Sequence, residues 1–182
     1  MKHVIFVSRP LALRIVPTAG AAIISIHASD EDPAPLLPGW QACLTLCFDD
    51  IDEPRRGAIA FDAEMARRIV EFVDAQSERK TLYVHCTAGI SRSAAVAIFI
   101  SEAHGHECHK PGFGQAVSAG NWPHYNKRVY RALVDAELAK IDRLTSALRD
   151  RGLRQVFGTG YFALNAKGGP ARFWLVAGHV GI

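Results

Sequence analysis

The sequence has few cysteines, a small net charge and no long hydrophobic run. Its four cysteines (Cys43, Cys47, Cys86 and Cys108) lack the spacing of a disulfide framework, so reduced thiols are expected. The net charge of +3 is too small to indicate nucleic acid binding by itself. The apolar run Ala94–Ile100 is far shorter than the about 20 residues of a membrane span. The N-terminus also lacks a signal-peptide pattern. We therefore expect a cytoplasmic protein without membrane or nucleic acid partners.

The chain contains enough apolar material for one core. Its 182 residues, 49% hydrophobic and 21% charged, are typical of a globular domain. From Gly152 onward glycines interrupt aromatic pieces and acidic residues disappear. We therefore predict a domain over residues 1–150 and a glycine-rich extension of unknown role over 151–182. Within the extension, Phe173–Ala177 is either an added strand or a tail that docks on a partner.

Short β-prone runs alternate with helical ones along the domain. The strand candidates are His3–Val7, Ala21–Ile26, Cys43–Phe48 and Leu82–Val84. The helix candidates are Ala63–Gln76 with Asp62 as N-cap, a run that starts near Arg92 and stops at Gly105, and a third that starts at Asn121-Trp122-Pro123 and continues to about Arg149. This alternation predicts an α/β fold with a mostly parallel central sheet flanked by helices on both faces.

The segment His104–His109 gathers metal-capable side chains at close spacing. It lacks the paired Cys or His spacing of a structural zinc site. A solvated loop is expected there, with a metal site as the less favoured alternative, and no metal ligand is assigned.

The most informative stretch runs from Thr81 to Ser101. The β-prone run Leu82–Val84 leads into a loop over Cys86–Arg92, and an alanine-rich apolar run follows as a buried helix. A strand, a tight loop and a helix in that order place backbone N–H groups at a helix N-terminus, where they favour an anion. Those donors and the Arg92 guanidinium should also favour the thiolate form of Cys86. The loop therefore combines a nucleophile with a cradle for a tetrahedral oxyanion.

The run His85-Cys86-Thr87-Ala88-Gly89-Ile90-Ser91-Arg92-Ser93 resembles the signature of the cysteine-dependent protein tyrosine phosphatase superfamily, in the form of the small dual-specificity phosphatases. That signature is His-Cys, five residues with Gly third, and then Arg followed by Ser or Thr. The resemblance implies the phosphatase fold and an enzyme that needs no cofactor. A buried structural cysteine in a strand-to-helix turn is the alternative explanation.

The resemblance also implies a role for each residue of the loop. Cys86 would be the nucleophile, and Ser93 would donate a hydrogen bond to its sulfur. Backbone amides and the Arg92 side chain would bind the phosphoryl oxygens, and no metal is needed. Gly89 would permit a positive φ or a close approach to phosphate. His85 would bond the backbone and so fix the loop, and a core histidine that only fills space is the alternative. The residues expected to bind phosphate are Thr87, Ala88, Gly89, Ile90, Ser91 and Arg92.

An acid is also required, because the departing oxygen needs a proton. Phe48-Asp49-Asp50 resembles the acid loop of the regenerating-liver type of these phosphatases, in which the second aspartate is the acid. Asp50 is therefore our catalytic candidate, with its neighbour Asp49 next and Asp52 third. Adjacent carboxylates favour protonation of one of them. The alternative is that all three solvate a turn.

The predicted function is hydrolysis of phosphotyrosine, with phosphoserine and phosphothreonine as further candidates, through a phosphocysteine intermediate. The variable loop positions hold no lysine, which disfavours a phosphoinositide head group. The substrate is a phosphorylated protein or a small phosphoester. The alternatives are a phosphatase of a small phosphoester or an RNA 5′ end, a phosphate-binding module without turnover, and sulfur transfer of the rhodanese type. The sequence does not determine the oligomeric state.

Overall fold

The structure, a computed structural model, describes residues 3–76 and 81–150. The strands are β1 (His3–Ser8), β2 (Ala22–His27), β3 (Ala42–Cys47), β4 (Thr81–Cys86) and β5 (Glu107–His109). The helices are α1 (Arg9–Ala12), α2 (Ala63–Ala75), α3 (Arg92–His104) and α4 (Lys127–Asp150).

The five strands form one sheet in the order β3-β2-β4-β1-β5, and every neighbouring pair is parallel. All six residues of β2 are buried, so the sheet is covered on both faces at this strand. This architecture confirms the predicted α/β class with a parallel central sheet. The predicted boundary between residues 150 and 151 and the alternatives for Phe173–Ala177 fall at or beyond the end of the described residues.

Helix α3 is the most deeply buried helix that contacts the sheet. Its first nine residues, Arg92–Ile100, are all buried, and the helix packs on β1 and β4. Alanines at positions 94, 95 and 97 keep its surface flat enough for close packing on the strands. Because α3 follows β4 through one short loop, this burial fixes the loop's position against the end of the sheet.

The carboxyl ends of the strands converge at one edge of the sheet. After β2 the chain leaves toward β3, whereas after β4 it leaves toward β5 on the other side. A crevice is therefore expected between the carboxyl ends of β2 and β4, where open parallel sheets bind their ligands. The loop after β4, residues 87–91, lies at this crevice.

Two local predictions were wrong. Residues Glu107–His109 form strand β5 beside β1, where a solvated loop was expected, because pairing with β1 satisfies their backbone groups. Helix α4 begins at Lys127 and not near Asn121, because the Asn121 side chain accepts from the Ser118 amide and donates to the Ala116 carbonyl in a preceding turn.

Two further observations concern the state of the cysteines and the presence of membrane-spanning helices. All four cysteines lie in the described ranges and are free thiols. Among residues 3–76 and 81–150, no helix combines the length and the apolar character needed to cross a bilayer.

Candidate active site

Cys86 is the last residue of β4, and its sulfur is surrounded by potential donors. The thiol is 2% exposed. The Gly89 N–H donates a hydrogen bond to Sγ at 3.3 Å. The Ser93 hydroxyl, in the first turn of α3, lies 3.2 Å from the same sulfur. The Cys86 sulfur thus has one backbone donor and one hydroxyl group within hydrogen-bond distance.

Arg92, the first residue of α3, is held in place by two contacts. Its side chain is buried. Nη1 donates to the Phe48 carbonyl at 2.7 Å, and Nη2 donates to the Thr87 hydroxyl at 2.8 Å. Nε is buried and has no hydrogen-bond partner within the residues that the structure describes. A buried donor of this kind favours an added acceptor, such as a phosphoryl oxygen.

The N-terminus of α3 supplies further donors. Ser91 precedes the helix and makes no side-chain capping hydrogen bond. Its hydroxyl donates instead to Asp50 Oδ1 at 2.8 Å. The first amides of a helix lack partners within the helix, and the helix dipole adds partial positive charge there. The residues predicted to bind phosphate, Thr87 to Arg92, thus form one continuous turn between Cys86 and this helix end.

Gly89 has a left-handed backbone conformation and lies against β1. Its φ is +67°, and a Cβ at this position would lie 2.3 Å from the Ser8 amide nitrogen. The Gly89 carbonyl accepts a hydrogen bond of 2.7 Å from Lys110 Nζ, while the Arg9 amide donates to the Thr87 carbonyl at 3.1 Å. The loop is therefore held by its contacts with Ser8 and Arg9 and by the hydrogen bond from Lys110.

Asp50, the first acid candidate, is exposed at the rim of the loop. Its Oδ1 accepts from the Ser91 hydroxyl and from Asn126 Nδ2, both at 2.8 Å. Asn126 Oδ1 in turn accepts from the Val129 amide at 2.9 Å and so caps α4. These contacts fix the position of the Asp50 carboxylate relative to the loop.

Asp49, the neighbouring candidate, makes contacts with the surrounding backbone. Its carboxylate accepts from the Ser29 amide, the Ser29 hydroxyl and the Ile59 amide, at 2.7 to 3.0 Å. Hydrogen bonding by the Ser29 amide, helped by that of Ile59, holds the pKa of Asp49 below its ordinary value. Asp49 is thus charged, and it joins the loop after β2 to the segment after β3.

Asp52 and an open polar pocket lie beside Asp50. A depression of about 390 Å³ is lined by Asp50, Asp52, Ser91 and residues 123–127. A larger depression of about 1010 Å³ lies between α2 and α4 and is lined by residues such as Arg67, Arg131 and Arg143. We place the site at the smaller one, because it adjoins the loop that holds the nucleophile and the guanidinium.

His85 supports the loop from inside the sheet. It is fully buried, and its Nε2 lies 2.7 Å from the Ser25 hydroxyl on β2. Burial lowers the pKa of His85 from 6.5 to about 4. His85 is therefore neutral at physiological pH, and it tethers β4 to β2 directly before the nucleophile.

Glu31 is a site residue that the sequence prediction missed. Its Oε2 accepts from the Thr87 hydroxyl at 2.9 Å and from the Ala28 amide at 3.1 Å. Burial raises the pKa of Glu31, but the hydrogen bonds from Ala28 and Thr87 outweigh it, and the net pKa lies below the ordinary value. A carboxylate, the Thr87 hydroxyl and the Arg92 guanidinium therefore form one chain of contacts. Nothing local in the proline-rich segment that contains Glu31 indicates this role.

Asn126 and Lys110 were missed as well. Asn126 could have been identified from the sequence, since Asn before a helix is a preferred N-cap. Asn121 carries the same signal, and the predicted helix was started there instead. Lys110 directly follows β5 and was missed with that strand. Its ammonium lies 5.2 Å from the Phe6 ring centroid and 5.7 Å from that of Trp122. Trp122 Nε1 also donates to the Ile90 carbonyl at 2.9 Å. Lys110 and Trp122 therefore both hold the loop in place.

Comparison with known proteins gives little beyond this geometry. No family model matches the chain, and no curated protein matches it. Among solved structures, the chain is similar to the human tyrosine phosphatase-like serine/threonine/tyrosine-interacting protein. The two are 24% identical with a TM-score of 0.40, over 66% of this chain and 78% of that one. A likeness this distant supports no reaction or substrate for this chain.

Proposed function

We propose that this protein is a cysteine-dependent phosphatase that hydrolyses phosphotyrosine, with phosphoserine and phosphothreonine as further candidates. One observation supports this proposal above the others. The Cys86 sulfur contacts the Gly89 amide of the loop and the Ser93 hydroxyl of the first turn of α3, and the buried Arg92 guanidinium lies between these two residues in the chain. A sulfur nucleophile and donors for the phosphoryl oxygens are therefore in one loop, as phosphoryl transfer through a thiolate requires.

In the first step, the Cys86 thiolate attacks phosphorus and the bond from phosphorus to the leaving oxygen breaks. The loop amides and Arg92 Nε bind the non-bridging oxygens and stabilise their charge. Asp50 gives a proton to the leaving oxygen, so that tyrosine departs as a neutral phenol. We assign this proton to Oδ2, because Oδ1 accepts both hydrogen bonds from Ser91 and Asn126.

In the second step, water attacks phosphorus and the phosphorus–sulfur bond breaks. Asp50, now a carboxylate, takes a proton from that water, and inorganic phosphate is released. The electron pair of the broken bond returns to sulfur. The Ser93 hydroxyl, 3.2 Å away, stabilises the departing thiolate by a hydrogen bond.

The choice of an aryl phosphate rests on the surface of the loop. Its variable positions, Thr87, Ala88, Ile90 and Ser91, offer no lysine for a polyanionic head group. Ile90 is 44% exposed and provides an apolar surface beside the crevice. Phosphotyrosine would place its ring against such a surface and its phosphoryl group in the loop.

The central experiment measures hydrolysis of an aryl phosphate by the purified protein in the presence of a metal chelator. We expect turnover in the wild type, inhibition by vanadate and loss of turnover in Cys86→Ser. Full activity of Cys86→Ser, or a requirement for an added divalent cation, would contradict the mechanism. Tight binding of a phosphotyrosine peptide without turnover would favour the alternative of a phosphate-binding module.

The adjacent aspartates allow a matched test of the acid. Asp50→Asn keeps an oxygen acceptor for Ser91 and Asn126 but removes the proton donor. We expect it to lower kcat by about 10²- to 10⁴-fold on an alkyl phosphate, and less on an aryl phosphate with a better leaving group. Asp49→Asn should mainly reduce stability, because its contacts are structural. Equal losses of kcat on both substrates in Asp50→Asn would remove Asp50 from the proton-transfer role.

A further inference from the structure

We propose that His3, Glu107 and His109 form a zinc-binding site at the end of the sheet remote from Cys86. His3 begins β1, while Glu107 and His109 begin and end β5. The phosphatase chemistry proposed above does not use these residues. Along β1, His3 is separated from the loop contact at Ser8 by roughly 16 Å, at about 3.3 Å per residue.

The three ligand atoms form a compact triangle. His3 Nδ1 lies 3.3 Å from His109 Nε2 and 3.6 Å from Glu107 Oε2. His109 Nε2 lies 3.3 Å from the same carboxylate oxygen. Tetrahedral zinc with bonds of about 2.05 Å to nitrogen and oxygen has ligand atoms separated by about 3.3 Å. The observed triangle therefore matches one face of a zinc coordination tetrahedron.

The register of two paired strands produces this triangle. His3 pairs with Glu107, and Ile5 pairs with His109 two positions further along. Because side chains alternate between the faces of a strand, Glu107 and His109 project to the same face. His3 projects beside them from the neighbouring strand. The positions of the ligands are thus set by backbone pairing and not by flexible loops, which reduces the entropy that metal binding must overcome.

The donor set favours a borderline transition-metal ion such as zinc over calcium and magnesium. Two imidazoles and one carboxylate are typical of zinc sites in which the fourth position takes a water molecule. Calcium and magnesium prefer oxygen ligands throughout, so the two histidines disfavour them. All three side chains are about 40% exposed, with values of 39%, 42% and 39% for His3, Glu107 and His109. An ion can therefore enter from solvent and keep a water ligand.

A bound zinc ion would join the three-residue edge strand β5 to β1. It would also offset the negative charge of the Glu107 carboxylate. Because the unfolded chain does not hold these ligands together, binding stabilises the fold. With zinc at about a hundredfold excess over its Kd, the expected rise in Tm is about 5–10 °C.

The experiment titrates the chelator-treated, full-length protein with zinc and, in parallel, with cobalt as a spectroscopic probe. We expect one equivalent to bind through this site. The variants His3→Ala, Glu107→Gln and His109→Ala should each weaken that binding by at least about a hundredfold, since losing even a partner of a ligand costs up to that amount. The rise in Tm with zinc should disappear in the same variants. Glu107→Gln keeps the size and shape of the side chain, so it separates ligand loss from misfolding.

The matched control is His106→Ala, which removes an imidazole from the same segment but leaves the three proposed ligands in place. It should bind zinc as the wild type does. The proposal is overturned if the wild type binds no zinc, or if the three ligand variants keep its stoichiometry and affinity. A cobalt complex dominated by thiolate-to-metal charge transfer would also overturn it, because the metal would then be on cysteine. None of these readouts depends on phosphatase activity.

Discussion

Replacing Gly89 by alanine tests whether the loop geometry controls the reaction. Gly89 combines a positive φ of +67° with close contact to the backbone of β1. An added Cβ would lie 2.3 Å from the Ser8 nitrogen and 2.4 Å from the Val7 carbonyl carbon. Both are main-chain atoms in a buried parallel strand, so no side-chain rotation can relieve the overlap. The loop itself must move.

The size of the effect follows from these distances. Left-handed backbone costs about 1–2 kcal/mol for a residue with a Cβ. Ordinary van der Waals contact begins near 3.4 Å, so the loop must also shift by about 1 Å, a displacement that can lower a rate by about 10²-fold. The shift would also lengthen the 3.3 Å hydrogen bond from the Gly89 amide to the Cys86 sulfur. We therefore expect kcat on an aryl phosphate to fall by about 10²-fold or more.

Gly105→Ala is the matched control for the backbone strain. Gly105 ends α3 with a φ of +66°, and a Cβ there meets nothing within 4 Å. Both variants should lose about 1–2 kcal/mol of unfolding free energy through strain in urea titrations. Gly89→Ala should lose more, because of the overlap. Only Gly89→Ala should lose turnover.

The comparison of the two glycine variants can refute the reasoning directly. If Gly89→Ala retained the kcat of Gly105→Ala in folded protein, the position of the Gly89 amide would not matter for the reaction. The role assigned to that amide at the Cys86 sulfur would then be wrong.

Two further predictions concern residues that support the loop. Folding lowers the pKa of His85 from 6.5 to about 4, so acid protonates this residue in the unfolded chain before it does so in the folded protein. Between pH 7 and pH 5 this difference should remove about 2 kcal/mol of unfolding free energy. Urea titrations of His85→Asn should lack that part of the pH dependence. A wild-type slope retained in full by the variant would assign it to other groups. Lys110→Met removes the 2.7 Å hydrogen bond to the Gly89 carbonyl, and kcat/KM should fall about tenfold, in line with about 1.5 kcal/mol for a charged hydrogen bond. An unchanged kcat/KM would show that the loop holds its shape without Lys110.

The central loop was predictable because its residues are contiguous. The nine residues from His85 to Ser93 span the end of β4, the loop and the start of α3, so the whole pattern can be read in one stretch of sequence. The parallel sheet was predictable too, since apolar runs alternate with amphipathic helices. These properties depend on short-range pattern and on the periodicity of hydrophobic residues.

The sequence could not show that Asp49 and Asp50 have different surroundings. Adjacent side chains have different surroundings, and those surroundings come from other elements: Ser29 and Ile59 for Asp49, Ser91 and Asn126 for Asp50. Only the packing of these segments distinguishes a carboxylate used for structure from one at the rim of the crevice.

The sequence by itself thus indicated the fold class and the loop that contains Cys86 and Arg92, because apolar periodicity and a contiguous motif can both be read along the chain. The tertiary structure decided the supporting contacts of Glu31 and Lys110. It also brought His3 within 3.3 Å of His109, 106 positions away along the chain. The physical reason is that strand pairing and register join residues whose separation along the chain no local pattern can span.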